Sequence, residues 1–258
     1  MIVNHKILNK IRQEIIEWSE ANPRPMPWSG ENSPYRIWIS EIILQQTRVK
    51  QGWNHYIRFI ERFPDIESLA NADIDEVLKV WEGLGYYSRA RNIHYSALQI
   101  QSNGGNFPSS YDEILSLKGV GPYTAAAIAS FAYNLPYAVV DGNVIRVISR
   151  IFGVYENFKS NNGKAQFASI AQDLLDKQNP GFFNQSIMNF GALVCKPIPK
   201  CSECSLVKHC YAGINEKTLE LPVASMKITK RKRFFLFKIY VLNERVWIRK
   251  REFLLVIT

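Results

Sequence analysis

Apolar residues recur along most of the chain at spacings of three and four, the period of one helix face, and strict alternation is rare. Ile7, Leu8, Ile11, Ile15, Ile16 and Trp18 form such a stripe over residues 5–20, ended by the turn-rich NPRPMPWSG segment. Ser33-Pro34 then offers an N-cap and a proline at the first helical position, opening a helix through YRIWISEIILQQTRV. The same reading predicts helices over 49–62, 73–81, 86–102, 111–116, 122–133, 142–153, 163–177 and 181–194, separated by Pro and Gly. A mostly α body follows. Only the last thirty residues change period. After KITKRKR, the segments FFLFKIYVL and RVWIRKR are rich in aromatic and β-branched residues about Asn243-Glu244, which predicts a hairpin opening a β-containing domain. Two strands alone are marginal, and strand-like sequence continues to FLLVIT, so this end is expected to be truncated.

A chain of 258 residues can bury a large core in one or two domains. No run of eighteen apolar residues offers a membrane span, and the N-terminus lacks the pattern of an export signal, so the expected location is cytoplasmic. The net charge of +9 carries less weight than its size suggests. From Lys227 onward there are ten Lys/Arg and two Asp/Glu, leaving 22 basic and 21 acidic residues before it. A duplex-binding face in that body would have to come from local clustering.

Three local features carry chemistry. All four cysteines, Cys195, Cys201, Cys204 and Cys210, fall within sixteen residues as C-x5-C-x2-C-x5-C, the mark of four ligands to one centre. An iron-sulfur cluster and zinc both accept four thiolates, and disulfides are a further reading that the missing export signal disfavours. In LKGVGPYTAAAIASFA, Gly119, Val120 and Gly121 make a tight turn before a small-residue helix whose first amides suit a phosphate oxygen; an ordinary interhelical turn would have the same composition. Glu41 stands among Ile, Trp and Leu, where burial would raise its pKa toward that of a proton donor, unless it pairs with Arg36 or Arg48. Asp141 precedes a helix, the position of an N-cap. Should the two acids converge, they would form the pair of carboxylates that splits a glycosidic bond.

These pieces occur together in MPWSG, SPYRIWISEIILQQTRV, WEGLGYYSRARNIH, FPSSYDEILSLKGVGPYTAAAIASFA, VVDGNVIRVISRIF and FNQSIMNFGALVC. In that order they resemble the adenine-DNA glycosylase (MutY) family of the endonuclease III, or helix-hairpin-helix glycosylase, superfamily over residues 8–222. The resemblance implies a two-lobed, mostly α helix-hairpin-helix glycosylase with an iron-sulfur loop and a short C-terminal β-hairpin remnant. Residues 30–135 would form a six-helix domain, 1–29 with 136–222 a cluster domain, and 227–258 the truncated start of a Nudix-like domain that in the family recognises 8-oxoguanine. It implies a monomer that binds double-stranded DNA near the nucleoid and removes adenine mispaired with 8-oxoguanine or guanine, after flipping it from the stack. By motif match, Glu41 protonates adenine, Asp141 stabilises the sugar cation, and Tyr123 and Asn143 hold the acids and water. Arg24, Trp28, Leu44 and Gln185 match the adenine pocket; Gln46, Leu84 and Tyr86 match residues that wedge into the duplex, with core packing as the alternative for Trp28, Leu84 and Tyr86. The cysteines would hold one 4Fe-4S cluster, and the hairpin could take a monovalent cation. Tyr123 stands where endonuclease III relatives carry a lysine that forms a Schiff base, so the resemblance implies a monofunctional enzyme. Two positions depart from the family: the first cysteine pair is one residue closer than the usual C-x6-C, and Lys118 replaces a hairpin proline. The competing readings are a mismatch thymine or oxidised-pyrimidine glycosylase, and a non-catalytic DNA-binding iron-sulfur module.

Overall fold

The computed structural model describes residues 5–26, 30–47, 49–223, 239–242 and 245–248. Trp28 and the basic run KITKRKR lie outside the described residues, as does the rest of the C-terminal segment apart from the two strands. The chain divides into two units, residues 1–225 and 226–258.

The first unit is helical throughout its described part, in chain order α1 (His5–Ala21), α2 (Pro34–Leu44), α3 (Val49–Arg62), α4 (Ile66–Ala70), α5 (Ile74–Val80) and α6 (Ser88–Ser102). It continues through α7 (Tyr111–Ser116), α8 (Pro122–Tyr133), α9 (Gly142–Phe152), α10 (Asn161–Leu174), α11 (Pro180–Leu193) and the short α12 (Tyr211–Ile214). Polar N-caps open many of these helices, as the sequence suggested at Ser33, where the hydroxyl accepts from the Arg36 amide. The helices expected at 73–81, 86–102 and 163–177 are shorter by one to three residues at an end, and the largest departure is the helix opened by Ser33-Pro34, which does not run through QQTRV but stops at Leu44, where Gln46 adopts a left-handed φ of 60°. The carbonyls freed there are taken up by the Arg89 side chain, which accounts for a break where no Gly or Pro stands.

Two hydrophobic cores form. Trp38, Phe59, Phe63 and Trp81 lie at the centre of the first, enclosed by α2 to α8. The second gathers Ile11 and Ile15 of α1 with Val147 and Ile148 of α9, Phe167 of α10 and Phe183 and Phe190 of α11, so the N-terminal helix packs beside the later part of the chain. Between the cores, Val139 packs on the small face of α8 at Ala126 and Ala127. Among the described residues no helix is long and apolar enough to cross a membrane. In the second unit, β1 (Ile239–Leu242) pairs antiparallel with β2 (Arg245–Ile248), Leu242 facing Arg245.

Candidate active site

Glu41 lies in the last turn of α2 and Asp141 caps α9, a hundred residues later, yet both line one cavity of about 420 Å³ with Tyr123, Val140, Leu44, Gln45 and Gln46. The apolar run around Glu41 buries it to 6% exposure. Arg36 is no counterion for it, being paired instead with Glu31 at 3.2 Å, and Arg48 is outside the described residues. Burial therefore dominates, and with the nearby negative charge of Asp141 it raises the Glu41 pKa to about 7 against the opposing effect of the hydrogen bond that the Tyr123 hydroxyl donates. Tyr123, on the first turn of α8, is in turn held well above its usual pKa by burial and the two acids, so it stays a donor.

Asp141 is both an N-cap and a cavity-facing acid. Its Oδ1 accepts from the Val144 amide at 2.7 Å and its Oδ2 from the Asn143 side chain at 2.7 Å. Burial raises its pKa, while these donors and the Arg146 charge pull it back. The two carboxyls thus occupy different surroundings, one short of donors and one supplied with them. Behind Asp141, the Asn143 Oδ1 accepts from Arg146 at 2.9 Å, and Arg146 donates onward to the carbonyls of Gly191 at 2.8 Å and Cys195 at 2.7 Å. Gly191 lets α11 come this close, because a Cβ there would sit 2.8 Å from the Asn143 Cβ.

Of the other residues singled out in the sequence, Leu44 and Gln46 join the cavity lining. Arg24 and Gln185 meet away from that lining, both donating to the Asn189 Oδ1, at 3.2 and 3.1 Å. Leu84 is buried in the first core, the packing alternative, whereas Tyr86 is 63% exposed. Gly119 takes a φ of 82° that favours glycine, and Val120 is buried; Gly121, at φ −100°, serves as the N-cap of α8 and needs no such freedom. Three residues were missed. Asn189 stands one helical turn after Gln185, a spacing that could have revealed it. Gln45, bonded to the Thr124 hydroxyl at 3.2 Å, and Val140 carry no such signal.

All four cysteines are unpaired and line one small void of about 20 Å³. Arg150, 2% exposed, braces this loop by donating to the Cys195 Sγ at 3.4 Å and to the carbonyls of Lys196, Pro197 and Leu221. Among the described residues, no three His, Cys, Asp or Glu side chains are gathered so as to hold one metal ion.

Comparison with known proteins follows the same lines. The family described as HhH-GPD superfamily base excision DNA repair protein matches residues 39–173. The chain is 38% identical over 241 residues to an adenine DNA glycosylase of Buchnera aphidicola subsp. Acyrthosiphon pisum (strain APS), spanning 92% of this chain and 69% of that one. Its fold is similar to that of a solved thermostable thymine-DNA glycosylase, with a TM-score of 0.76 at 30% identity over 81% of this chain and 98% of the other. A non-covalent endonuclease III–DNA complex aligns with a TM-score of 0.69 at 21% identity, over 84% and 99% of the two chains.

Proposed function

Because the chain belongs to the HhH-GPD superfamily of base excision DNA repair proteins, and within it to the adenine DNA glycosylases, we propose that Glu41 and Asp141 divide the cleavage of the adenine–deoxyribose bond between them. The protein is an adenine DNA glycosylase of base excision repair. Its finer chemistry is our reading. Adenine flipped from the duplex enters the cavity, where the protonated carboxyl of Glu41 gives its proton to a ring nitrogen. The bond from adenine to the anomeric carbon breaks, the electron pair leaves with the base, and positive charge develops on the sugar. Asp141, whose ionised form the Val144 and Asn143 donors favour against the cost of burial, faces that charge. Water then adds to the anomeric carbon and returns a proton to the carboxylate of Glu41. What supports this division is the single cavity lined by two acids in unlike surroundings.

Tyr123 holds Glu41 and brings no amine, so the strand is left intact at an abasic sugar. Arg24, Gln185 and Asn189 would form the far wall of the adenine pocket. Gln46 and Tyr86 would enter the duplex beside the base opposite, 8-oxoguanine or guanine, while the Gly119–Gly121 turn meets the backbone and any monovalent cation there. The two cores support lobes at 30–135 and at 1–29 with 136–222, working as a monomer on chromosomal DNA.

On the family resemblance, Cys195, Cys201, Cys204 and Cys210 are the residues that would hold a 4Fe-4S cluster. They share one void, and four thiolates are the ligand set of such a cluster as they are of zinc. A 4Fe-4S cluster held there would fasten the loop after α11. About four iron and four labile sulfide per purified chain are expected; one zinc per chain would overturn this assignment.

The decisive experiment is excision from duplexes carrying adenine opposite 8-oxoguanine or guanine, beside thymine opposite guanine, with and without hot alkali. Adenine release that needs alkali to break the strand supports the reading. Strand scission without alkali would overturn the monofunctional assignment, and release of thymine alone would transfer the activity of the thymine-DNA glycosylase to this chain.

A further inference from the structure

Arg89, on the first turn of α6, is 8% exposed although it carries a charge, and among the described residues it has no carboxylate partner. Its partners are carbonyl oxygens of two separate places, the end of α2 with the turn after it, and the loop before α6. One nitrogen donates to Ile42, Ile43 and Gln45 at 2.9, 3.0 and 2.6 Å, and the other to Leu84 and Gly85 at 3.3 Å each. The guanidinium carbon also lies 5.2 Å from the Trp81 ring and 5.7 Å from the Tyr86 ring.

These contacts end next to two strained residues. Gln46 and Tyr86 are non-glycine residues with φ of 60° and 47°, conformations that side chains disfavour and that persist only when their surroundings enforce them. Arg89 holds the carbonyl just before each, at Gln45 and Gly85. A planar fork with five donors can bind both loops at once, which a lysine ammonium on a flexible stem cannot do with fixed geometry.

We propose that Arg89 is a positioning residue that makes the Gln45–Thr47 turn and the Leu84–Tyr86 loop one rigid part, so that displacing a paired base and seating adenine beside Glu41 occur together. This rests on the reading that Gln46 and Tyr86 enter the duplex. It follows that Arg89 matters most when adenine must be pulled out of a pair, and least when the base is already unpaired.

The test compares single-turnover excision from adenine opposite guanine with excision of the same adenine opposite an abasic analogue, in wild type, Arg89→Lys, Arg89→Met and Tyr86→Ala. Misplacing the loops by about an ångström should slow the paired substrate by roughly tenfold to a hundredfold in both Arg89 variants, and the unpaired one far less. Because partial unfolding lowers both rates alike, the ratio between substrates is the readout, and Arg89→Lys keeps it measurable should Arg89→Met not fold. Equal losses on both substrates would overturn the proposal by making Arg89 only a structural support. A selective loss in Tyr86→Ala without one in the Arg89 variants would overturn it alone. The absence of selectivity in Tyr86→Ala would overturn the duplex-entry reading beneath it.

Discussion

Glu41 carries a conflict between stability and chemistry in one side chain. Left in water, a glutamate titrates near 4.5, whereas here burial brings the value to about 7. The folded chain therefore binds this proton more tightly than the unfolded one, so stability falls as pH rises from about 4.5 to about 7 and the full loss persists above that window. The span corresponds to at most about 3 kcal/mol. Replacing Glu41 by Gln removes the buried ionisation while keeping the shape. The variant should melt several degrees above wild type at pH 8 and converge with it near pH 4.5, although it excises nothing at either pH. For wild type, the proposed donor role of the acid form predicts that excision declines as pH rises through about 7. Paired melting curves decide the matter: a Glu41→Gln protein no more stable than wild type at pH 8 would mean that burial is not what perturbs this carboxyl.

At the level of elements, several boundaries that local chemistry sets were legible, though not the Ser160 cap that opens α10 two residues before the predicted start. Helices α3, α7 and α8 begin and end where periodicity, caps and proline predicted. The end of α2 was not legible, because the group that stops it is Arg89, more than forty residues away in sequence. The five-residue α4 escaped notice because it is too short to show a period, although Asp65 and Ser68 form a capping box. Packing between helices was equally hidden. Gly191 looks like any helix glycine in the sequence, yet it is the contact that sets α11 against α9 behind Asp141. Gly191→Ala would press a methyl group to 2.8 Å from the Asn143 Cβ and 3.0 Å from its carbonyl oxygen. Overpacking of this kind costs about 1–3 kcal/mol, and any relief has to move Asn143 and with it the bond to Asp141. We expect a lower melting temperature together with a lower single-turnover excision rate at saturating enzyme. A variant that melts lower but excises at the wild-type rate would show that α9 yields without disturbing the acid.

Across the whole molecule, the site exists because two cores meet: α2 brings Glu41 from one and α9 brings Asp141 from the other. Residue types alone left each acid with an ordinary explanation, and the N-cap reading of Asp141 is true as far as it goes; only the tertiary arrangement joins the two in one cavity. The joining segment, residues 134–141, forms no helix or strand, so its backbone groups need partners from elsewhere. Gln172 of α10 bonds the Ala138 amide and the Pro136 carbonyl, and Asn184 of α11, 1% exposed, bonds two more. Its Oδ1 accepts from the Val139 amide at 3.0 Å, while its Nδ2 donates to the Tyr137 carbonyl and to the Ser130 hydroxyl of α8, each at 2.9 Å. One side chain thereby pins α8, α11 and the stretch of chain leading into Asp141. Asn184→Ala would strip the partner from the buried Val139 amide, at about 1–3 kcal/mol for a group left unsatisfied, and loosen the half-buried Tyr137 carbonyl and the Ser130 hydroxyl. The loss should show first as a drop in melting temperature. If Asn184 also sets where Asp141 stands, excision by the fraction that remains folded should slow well beyond what unfolding explains, while duplex binding weakens less. Full activity per folded molecule would confine Asn184 to a structural part and leave the placement of Asp141 to its own cap and to Arg146.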